Sequence, residues 1–326
     1  MLFSRRLWAR TGALTLLLLP FSALFAADAA LRRLAYRRRW LATVRIGVPV
    51  IIVGNITAGG SGKTPMTIWL VNRLRARGYR PGVVSRGYGG EARGCVEVSA
   101  SGSPAEVGDE PLLIHLKTGA PVVVGRDRVA AARTLLARHP GIDLIVADDG
   151  LQHYRLARDV ELVVVDAAAG FGNGWPLPAG PLREPRSRLR AADALIQVVR
   201  PGARPRELAA WRADFVAGQA WPLRTPDARR PLQALPHGDW LAATGIGRPE
   251  GFFDLLALHG VRFTPRAFPD HHPFTPADLP TDGRVLMTEK DAVKCRDFAG
   301  ADWWAVELEA APEPALVDWL DARIPR

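Results

Sequence analysis

The chain has 326 residues, of which 48% are hydrophobic, so it is long enough for one large or two modest domains with buried cores. Its net charge of +10 favours an anionic partner, such as phosphate groups, nucleic acid or an acidic membrane surface. The two cysteines, Cys95 and Cys295, are far apart in sequence, which excludes a zinc cluster and is typical of free thiols in a reducing compartment.

The first predicted element is an apolar segment near the N-terminus, because residues 11–27 include no charged side chain. As a helix it would be about 26 Å long, at the short limit for a bilayer core of ~30 Å, and Pro20 would bend it. Clusters of arginine on both sides argue against translocation of either end. The flanking arginines are Arg5, Arg6, Arg10, Arg32, Arg33, Arg37, Arg38 and Arg39.

We therefore expect residues 1–30 to form a short anchor that lies on, or dips into, the cytoplasmic face of a membrane, with its arginines among acidic headgroups. The alternative is a secretory signal peptide, since Ala27, Asp28 and Ala29 resemble a cleavage site. A signal peptide would send the nucleotide-binding loop that follows in the sequence to a compartment where ATP is scarce.

A glycine-rich loop comes next, between a predicted strand and a predicted helix. It comprises Thr57, Ala58, Gly59, Gly60, Ser61, Gly62, Lys63 and Thr64. The usual pattern is G-x-x-x-x-G-K-[ST], so Thr57 stands in place of the first glycine. The three glycines still permit the positive φ angles that direct backbone N–H groups at one anion. Lys63 can reach the β- and γ-phosphates, and the Thr64 hydroxyl can ligate Mg²⁺.

The sequence on both sides of this loop fits a nucleotide-binding role. "VPVIIVGN" before it is an apolar run typical of a buried parallel strand, and "TPMTIWLVNRLRARG" after it has apolar residues at helical spacing. Gly78 can end that helix. The simpler interpretation, a glycine-rich turn that happens to include Lys-Thr, does not account for the strand and helix around it.

Further strands and helices alternate along the chain. Buried strands are predicted at residues 82–85, 121–124, 142–147, 160–165 and 194–199, and a helix at 126–139. This pattern predicts a doubly wound α/β sheet, with ligands at the carboxyl ends of the strands. Residues 221–240 are rich in proline and arginine and resemble a linker. We thus expect the anchor of residues 1–30, a P-loop domain of residues 31–228, and a smaller α/β lobe of residues 229–326.

Acidic side chains follow one of these strands. "ADDG" places Asp148 and Asp149 at the end of a buried strand, where a Walker-B carboxylate holds Mg²⁺ directly or through water. The alternative is that the pair merely caps a helix. Gln152 and His153 follow within reach, although His153 could equally be a surface histidine.

Three other polar motifs are candidates for the chemistry. "GDEP" supplies Asp109 and Glu110, which could also form only a turn and a helix cap. "PAGPLREP" holds Arg183 and Glu184 in a stiff loop able to present a guanidinium to a phosphate. "FPDHHPF" includes His271, for which a role as acid–base partner is favoured over a two-histidine metal site, because adjacent histidines point in different directions. The glycines of "GIG" at 245–247 form too short a pattern for a dinucleotide fingerprint and predict a tight turn.

Taken in order, "GNITAGGSGKTP", "SRGYGG", "GDEP", "ADDGLQH", "LPAGPLREP", "FPDHHPFT" and "MTEKDAVK" behind an apolar N-terminus resemble the tetraacyldisaccharide 4′-kinase family, the lipid A kinases of Gram-negative bacteria. The resemblance covers nearly the whole chain. The family also lacks the first glycine of the usual loop pattern, as this chain does at Thr57. It implies transfer of the γ-phosphate of ATP to the 4′-hydroxyl of a tetraacylated glucosamine disaccharide 1-phosphate, which gives lipid IVA at the inner membrane. It also implies a second lobe that closes over the nucleotide.

The resemblance assigns the phosphate and metal ligands. It places Lys63 and Thr64 in the phosphate-binding loop, with ATP and Mg²⁺ as cofactors. It places Asp149, together with Asp148, in the acidic Mg²⁺ site, and Glu184 is similar to a further acidic group that serves the metal.

The resemblance also assigns the groups that act on the acceptor. Arg183 matches a charge-stabilising arginine, Asp109 the proposed base and His271 its histidine partner. Weaker matches, to nucleotide, metal or substrate-entrance positions, are Gln152, His153, Tyr88, Lys290 and Asp291.

Two other classes of P-loop protein remain open from the residues alone. A partitioning-type ATPase also combines a P-loop with membrane binding, but its loop has a second lysine where this chain has Ala58. A nucleic-acid-dependent ATPase would explain the charge of +10, yet much of the arginine flanks the apolar segment, where a membrane explains it better. The expected partners are therefore a membrane-embedded glycolipid substrate and the inner-membrane surface, with no nucleic acid and no obligate protein partner.

Overall fold

Thirteen strands form one sheet in the part of the chain that the computed structural model describes, residues 7–203 and 208–324. The helices and strands, in chain order, are α1 (Ala13–Arg37), β1 (Val50–Gly54), α2 (Lys63–Ala76), β2 (Pro81–Ser85), β3 (Val96–Glu97), α3 (Pro104–Val107), α4 (Asp109–Thr118), β4 (Val122–Val124), α5 (Arg128–Arg138), β5 (Leu144–Asp148), β6 (Val160–Asp166), β7 (Ala194–Val199), β8 (Trp211–Pro222), β9 (Arg230–Pro231), β10 (Trp240–Thr244), α6 (Glu250–Leu258), β11 (Phe263–Ala267), β12 (Val285–Thr288), α7 (Glu289–Cys295), β13 (Trp303–Pro312) and α8 (Pro314–Arg323).

The sheet consists mainly of two parallel sets that meet at an antiparallel pair, and β3 adds to one edge in antiparallel fashion. The strand order is β11-β10-β12-β13-β8-β7-β6-β1-β5-β2-β4-β3, and β8 and β13 run antiparallel where the two sets meet. Strands β1, β2, β5 and β6 are buried along their whole length, because helices cover both faces of the sheet. The predicted doubly wound α/β fold is confirmed, and the predicted strand bounds agree to within a residue or two.

Part of the predicted linker, residues 221–240, belongs to the sheet. Its first residues complete the long strand β8, and β9 pairs with β8 in antiparallel fashion. Helix α8 then packs against α2, since Asp321 on α8 accepts hydrogen bonds from Arg73 and lies 2.6 Å from Arg77, both from α2 or its C-terminal end. The division of the lobes between residues 228 and 229 stays a prediction.

Helix α1 lies largely outside the hydrophobic cores. Within residues 7–203 and 208–324 it is the one helix long and apolar enough to cross a membrane, with 25 residues and Pro20 inside it. Its exposed large apolar side chains are Leu14, Leu16, Leu17, Phe21, Leu24, Phe25, Leu31 and Leu34. Arg5 and Arg6, part of the predicted basic flank, lie outside the described residues.

Candidate active site

The phosphate-binding loop connects β1 to α2, as the sequence pattern predicts. Gly59 and Gly62 have φ angles of 99° and 86°, which L-residues with a Cβ rarely adopt. A Cβ on Gly62 would also lie 2.7 Å from the Phe215 ring. The amide of Asn55 donates to the Thr57 carbonyl at 2.8 Å and to the Ser61 hydroxyl at 2.7 Å. The loop is therefore held open around a cradle of backbone N–H groups, which suits the phosphates of a nucleotide.

A second loop, the 175–184 segment, lies against the phosphate-binding loop. The Ala58 N–H donates to the Pro181 carbonyl, and the Arg183 N–H donates to the Ile56 carbonyl, each at 2.7 Å. This pairing directs the Arg183 guanidinium toward the end of β5, where it lies 3.0 Å from the Asp149 carboxylate. The predicted guanidinium and the predicted acidic site thus adjoin the phosphate-binding loop.

Asp149 is the carboxylate that faces the cations of the site. Its Oδ1 lies 3.5 Å from Lys63 Nζ, and Arg183 contacts both of its oxygens. Burial alone would raise the pKa of the Asp149 carboxyl, but Lys63 and Arg183 outweigh burial and hold that pKa far below its usual range. Asp149 is therefore a permanent anion, which is the state that a Mg²⁺ ligand requires.

Asp148 has a different environment from its neighbour. It is fully buried and accepts hydrogen bonds from the hydroxyls of Thr67 at 3.0 Å and Ser85 at 3.3 Å. Burial, and then the nearby negative charge of Glu110, raise the pKa of the Asp148 carboxyl above its ordinary value. The carboxyl pKa is therefore lowered at Asp149 and raised at Asp148, although the two residues are adjacent at the end of one strand.

Asp109 and His271 form a pair across the cleft between the two parallel sets of strands. Asp109 begins α4, His271 follows β11, and His271 Nδ1 lies 3.0 Å from Asp109 Oδ2. Burial would raise the pKa of Asp109, but the hydrogen bond to His271 and the ammonium groups of Lys290 and Lys294 outweigh it, so that its pKa is lowered. The resemblance pairs these two residues as base and histidine partner, and in the structure their side chains are in contact.

Two more side chains suggested by the sequence lie beside this pair. The Tyr88 ring is tilted against the His271 ring, with 5.3 Å between centroids. Lys290 Nζ donates to Glu110 at 2.9 Å, and burial, which would lower its pKa, is outweighed by the charges of Glu110 and Asp109. Lys290 therefore stays charged at the edge of the cleft.

The loop, Arg183, Asp149 and His271 line one cavity of about 310 Å³. Thr64 lines it too, beside Lys63, so a hydroxyl and a carboxylate suited to Mg²⁺ share the cavity with the phosphate cradle. Apolar side chains from both parallel sets form another part of its wall, which suits a flat aromatic ring. They are Ile68, Leu113, Phe215, Ile246, Phe252, Leu255, Val306 and Leu308.

Sequence reasoning missed several charged residues of this cavity. Arg200 and Arg248 each lie 2.7 Å from the buried Asp166 carboxylate and connect β6 and β7 to the turn after β10. Gly247, in the "GIG" turn, also lines the cavity, as does Arg86. Most of these residues follow the carboxyl ends of strands, which is the one sequence signal that could have identified them.

Apart from Asp109, which reaches the cavity through its contact with His271, five predicted site residues lie outside the cavity wall in the part of the chain that the structure describes: Thr57, Asp148, Gln152, His153 and Glu184. Gln152 Nε2 donates to the Asn55 carbonyl at 2.9 Å and so supports the strand end below the loop. His153 Nε2 lies 3.6 Å from Asp127. Glu184 is buried and accepts a hydrogen bond from the Tyr154 hydroxyl. Their assignments to nucleotide and metal binding stay predictions.

Comparisons with known proteins place the chain in one family. A family model described as tetraacyldisaccharide-1-P 4′-kinase matches residues 14–325. The tetraacyldisaccharide 4′-kinase of Thiobacillus denitrificans is 67% identical over 327 residues, which cover 99% of each chain. The chain belongs to the tetraacyldisaccharide 4′-kinase family.

Other members of the family agree in sequence and in structure. The tetraacyldisaccharide 4′-kinase of an Azoarcus species is 52% identical over 312 residues, covering 93% of this chain and 90% of its relative. The crystal structure of LpxK from Aquifex aeolicus in complex with ATP superposes with a TM-score of 0.79 at 27% identity, covering 95% of this chain and 99% of the other. The family and the kinase class expected from the motifs are confirmed, which removes the two ATPase alternatives.

Proposed function

We propose that this 4′-kinase family member transfers the γ-phosphate of ATP to the 4′-hydroxyl of tetraacyldisaccharide 1-phosphate, which gives lipid IVA, at the cytoplasmic face of the bacterial inner membrane. The observation that carries the proposal is the pairing across one cleft. Lys63 and Arg183 supply positive charge beside the phosphate-binding loop, and His271, which pairs with Asp109 across the cleft, lines the same cavity.

The cationic side of the cleft suits the donor. Phosphoryl transfer depends mainly on charge neutralisation and in-line placement of the reacting atoms. The N–H groups of the loop and Lys63 would hold the β- and γ-phosphates, and Arg183 would stabilise charge that develops on the transferred group. A bound Mg²⁺ ion, for which Thr64 and Asp149 are the best-placed ligands, would neutralise further phosphate charge.

The Asp109–His271 pair suits the acceptor. A sugar hydroxyl becomes a good nucleophile only when a base accepts its proton. In the proposed step the 4′-oxygen bonds to the γ-phosphorus, the bond to the β–γ bridging oxygen breaks, and ADP departs. The proton of the 4′-hydroxyl passes to the Asp109–His271 pair. The low pKa of Asp109 keeps its carboxylate ionised, so that it can hold the imidazole and stabilise the positive charge that arises there.

Helix α1 supports the membrane location. Its exposed leucines and phenylalanines would enter the bilayer, and the following arginines would contact acidic headgroups. Ser22 is buried against the carbonyl of Pro176 and the amide of Ala179, so removal of a signal peptide after Ala29 would take away part of the folded structure. The cytoplasmic face follows from the need for ATP and from the basic flanks on both sides.

The proposal is tested by ATP turnover of the purified full chain with a panel of acceptors. We expect turnover with tetraacyldisaccharide 1-phosphate and little turnover with the same lipid lacking the 4′-hydroxyl. Turnover that is stimulated equally by both lipids, or by duplex DNA, would contradict the proposal.

A further inference from the structure

Helix α1 contacts the same loop that carries Arg183, the 175–184 segment. Ser22, on the one buried side of the helix, is only 2% exposed. Its hydroxyl donates to the Pro176 carbonyl at 3.0 Å and accepts from the Ala179 N–H at 2.9 Å. A few residues before the helix begins, the Trp8 indole donates to the Pro178 carbonyl at 3.0 Å. The membrane helix and its N-terminal approach thus hold one end of the segment.

The other end of the segment is held through a tyrosine. Near the end of α1, the Tyr36 ring packs on the Tyr154 ring, with 5.9 Å between centroids. The Tyr154 hydroxyl donates to the Glu184 carboxylate and accepts from Arg188 Nε at 3.0 Å.

The segment held in this way also contacts the phosphate-binding loop. Its Pro181 carbonyl and Arg183 N–H pair with the backbone of Ala58 and Ile56. The Arg183 side chain then contacts Asp149. A displacement of α1 would therefore reach the guanidinium through a short chain of hydrogen bonds, without passing through the core of the sheet.

We propose that α1 is a positioning element of the phosphoryl-transfer site as well as an anchor: Ser22 and the Tyr36–Tyr154 contact hold the 175–184 segment so that Arg183 faces the transferred phosphate. The inference rests on the proposed kinase function. The insertion of α1 in the bilayer then determines the rate of phosphoryl transfer, because one side of the helix contacts lipid and the other side contacts the 175–184 segment. Ser22, Tyr36 and Tyr154 are positioning residues and do not touch the reacting atoms.

The test compares kcat and KM of full-chain variants with tetraacyldisaccharide 1-phosphate in detergent micelles and in vesicles of phosphatidylethanolamine and phosphatidylglycerol. Ser22→Ala and Tyr36→Ala should each lower kcat by about 3- to 10-fold, and the double variant by about 30-fold, in line with lost hydrogen bonds and a misplaced guanidinium. KM for ATP should stay unchanged, because Lys63 and the loop glycines are intact. Tyr36→Phe keeps the ring and should restore kcat, and Ser101→Ala, at an exposed serine, is the matched control.

Vesicle flotation and thermal unfolding of the same variants separate the possible causes. We expect every variant to float with the vesicles as the wild type does. A lower kcat with normal flotation and normal ATP binding supports the inference. Unchanged kcat in the double variant, or a loss confined to flotation and to KM for the lipid, overturns it. Should the double variant unfold, Tyr154→Phe, which removes only the hydroxyl, must show the lower kcat by itself. Failure of the wild type to phosphorylate any disaccharide lipid would instead contradict the proposed function.

Discussion

At the scale of single residues, Asp149 organises the charges of the cleft. It has a positive φ of 50°, and its two cationic neighbours come from different parts of the chain, Lys63 from the phosphate-binding loop and Arg183 from the 175–184 segment. A non-glycine residue in this conformation is uncommon and is held there by its surroundings. The carboxylate thus connects two loops that must both face the nucleotide.

Removal of either charge should abolish transfer and leave the fold intact. We expect Lys63→Met and Asp149→Asn each to lower kcat by at least about 10²-fold, because each removes a preorganised charge from the phosphate site. Asparagine is chosen at position 149 because it tolerates a positive φ. The measurement is steady-state kinetics with thermal unfolding, and Asp282→Asn, at an exposed site, is the control. Near-normal turnover in either variant would exclude the P-loop mechanism.

The Asp109–His271 pair should act as one proton-accepting unit. General-base catalysis is worth roughly 10²–10⁴-fold in rate, so we expect Asp109→Asn and His271→Asn each to lower kcat within that range. Because the two groups act together, the double variant should be barely worse than the poorer single one. The losses should shrink at high pH, where some acceptor hydroxyl ionises unaided. Fully multiplicative losses would instead indicate two independent roles.

The lowered pKa of Asp109 also has a consequence for stability. A carboxyl whose pKa is lower in the folded than in the unfolded chain stabilises the fold above its ordinary pKa, and this contribution disappears as the pH falls through the lowered value. The difference in free energy of unfolding between wild type and Asp109→Asn should therefore shrink as the pH falls from 5 toward 3, around the ordinary value of about 3.9. Urea unfolding at several pH values measures it. A difference that grows on acidification would mean that burial, and not the cations, dominates at this carboxyl.

At the scale of elements, α1 combines two surfaces. One side carries exposed leucines and phenylalanines, and the other buries Thr15 and Ser22 against the protein. A soluble amphipathic helix would bury its apolar side, whereas here the small polar residues are the ones that are buried. That inversion is the structural argument for a lipid-facing helix.

Polar substitutions on the exposed side should therefore weaken membrane binding without unfolding the chain. We expect the double variant Leu17→Gln and Leu24→Gln to partition into vesicles on the order of 10²-fold less well, since each leucine buried in lipid is worth about 1.5–3 kcal/mol. Salt should release this variant more readily than the wild type, because headgroup attraction alone then remains and is screened. Sedimentation with vesicles at low and high salt provides the measurement. Equal partition of both proteins would show that α1 does not bind lipid through these leucines.

At the scale of the whole molecule, the sequence predicts the parts of the site that are local. The loop at 57–64 and the Asp149 motif follow directly from strand, turn and helix patterns. Contacts between distant segments do not follow from local patterns, and Asp109 and His271 are 162 positions apart. Arg200 and Arg248 come from distant segments, and their common ion-pair partner Asp166 is evident only in the folded structure. The predicted linker is likewise ordered in part because β8 continues into it, a consequence of tertiary pairing with β13.

One measurement tests the central claim, that the cleft joins the γ-phosphate of ATP to the 4′-oxygen of a disaccharide lipid. The full chain is incubated in micelles with ATP labelled at the γ-phosphorus and tetraacyldisaccharide 1-phosphate, the lipid is extracted, and the labelled position is located by tandem mass spectrometry and ³¹P NMR. We expect the label in a single new phosphomonoester at the 4′-position, and none in the product of Lys63→Met. Label recovered only as inorganic phosphate, or on a hydroxyl other than the 4′-hydroxyl, would contradict the assignment of this cleft.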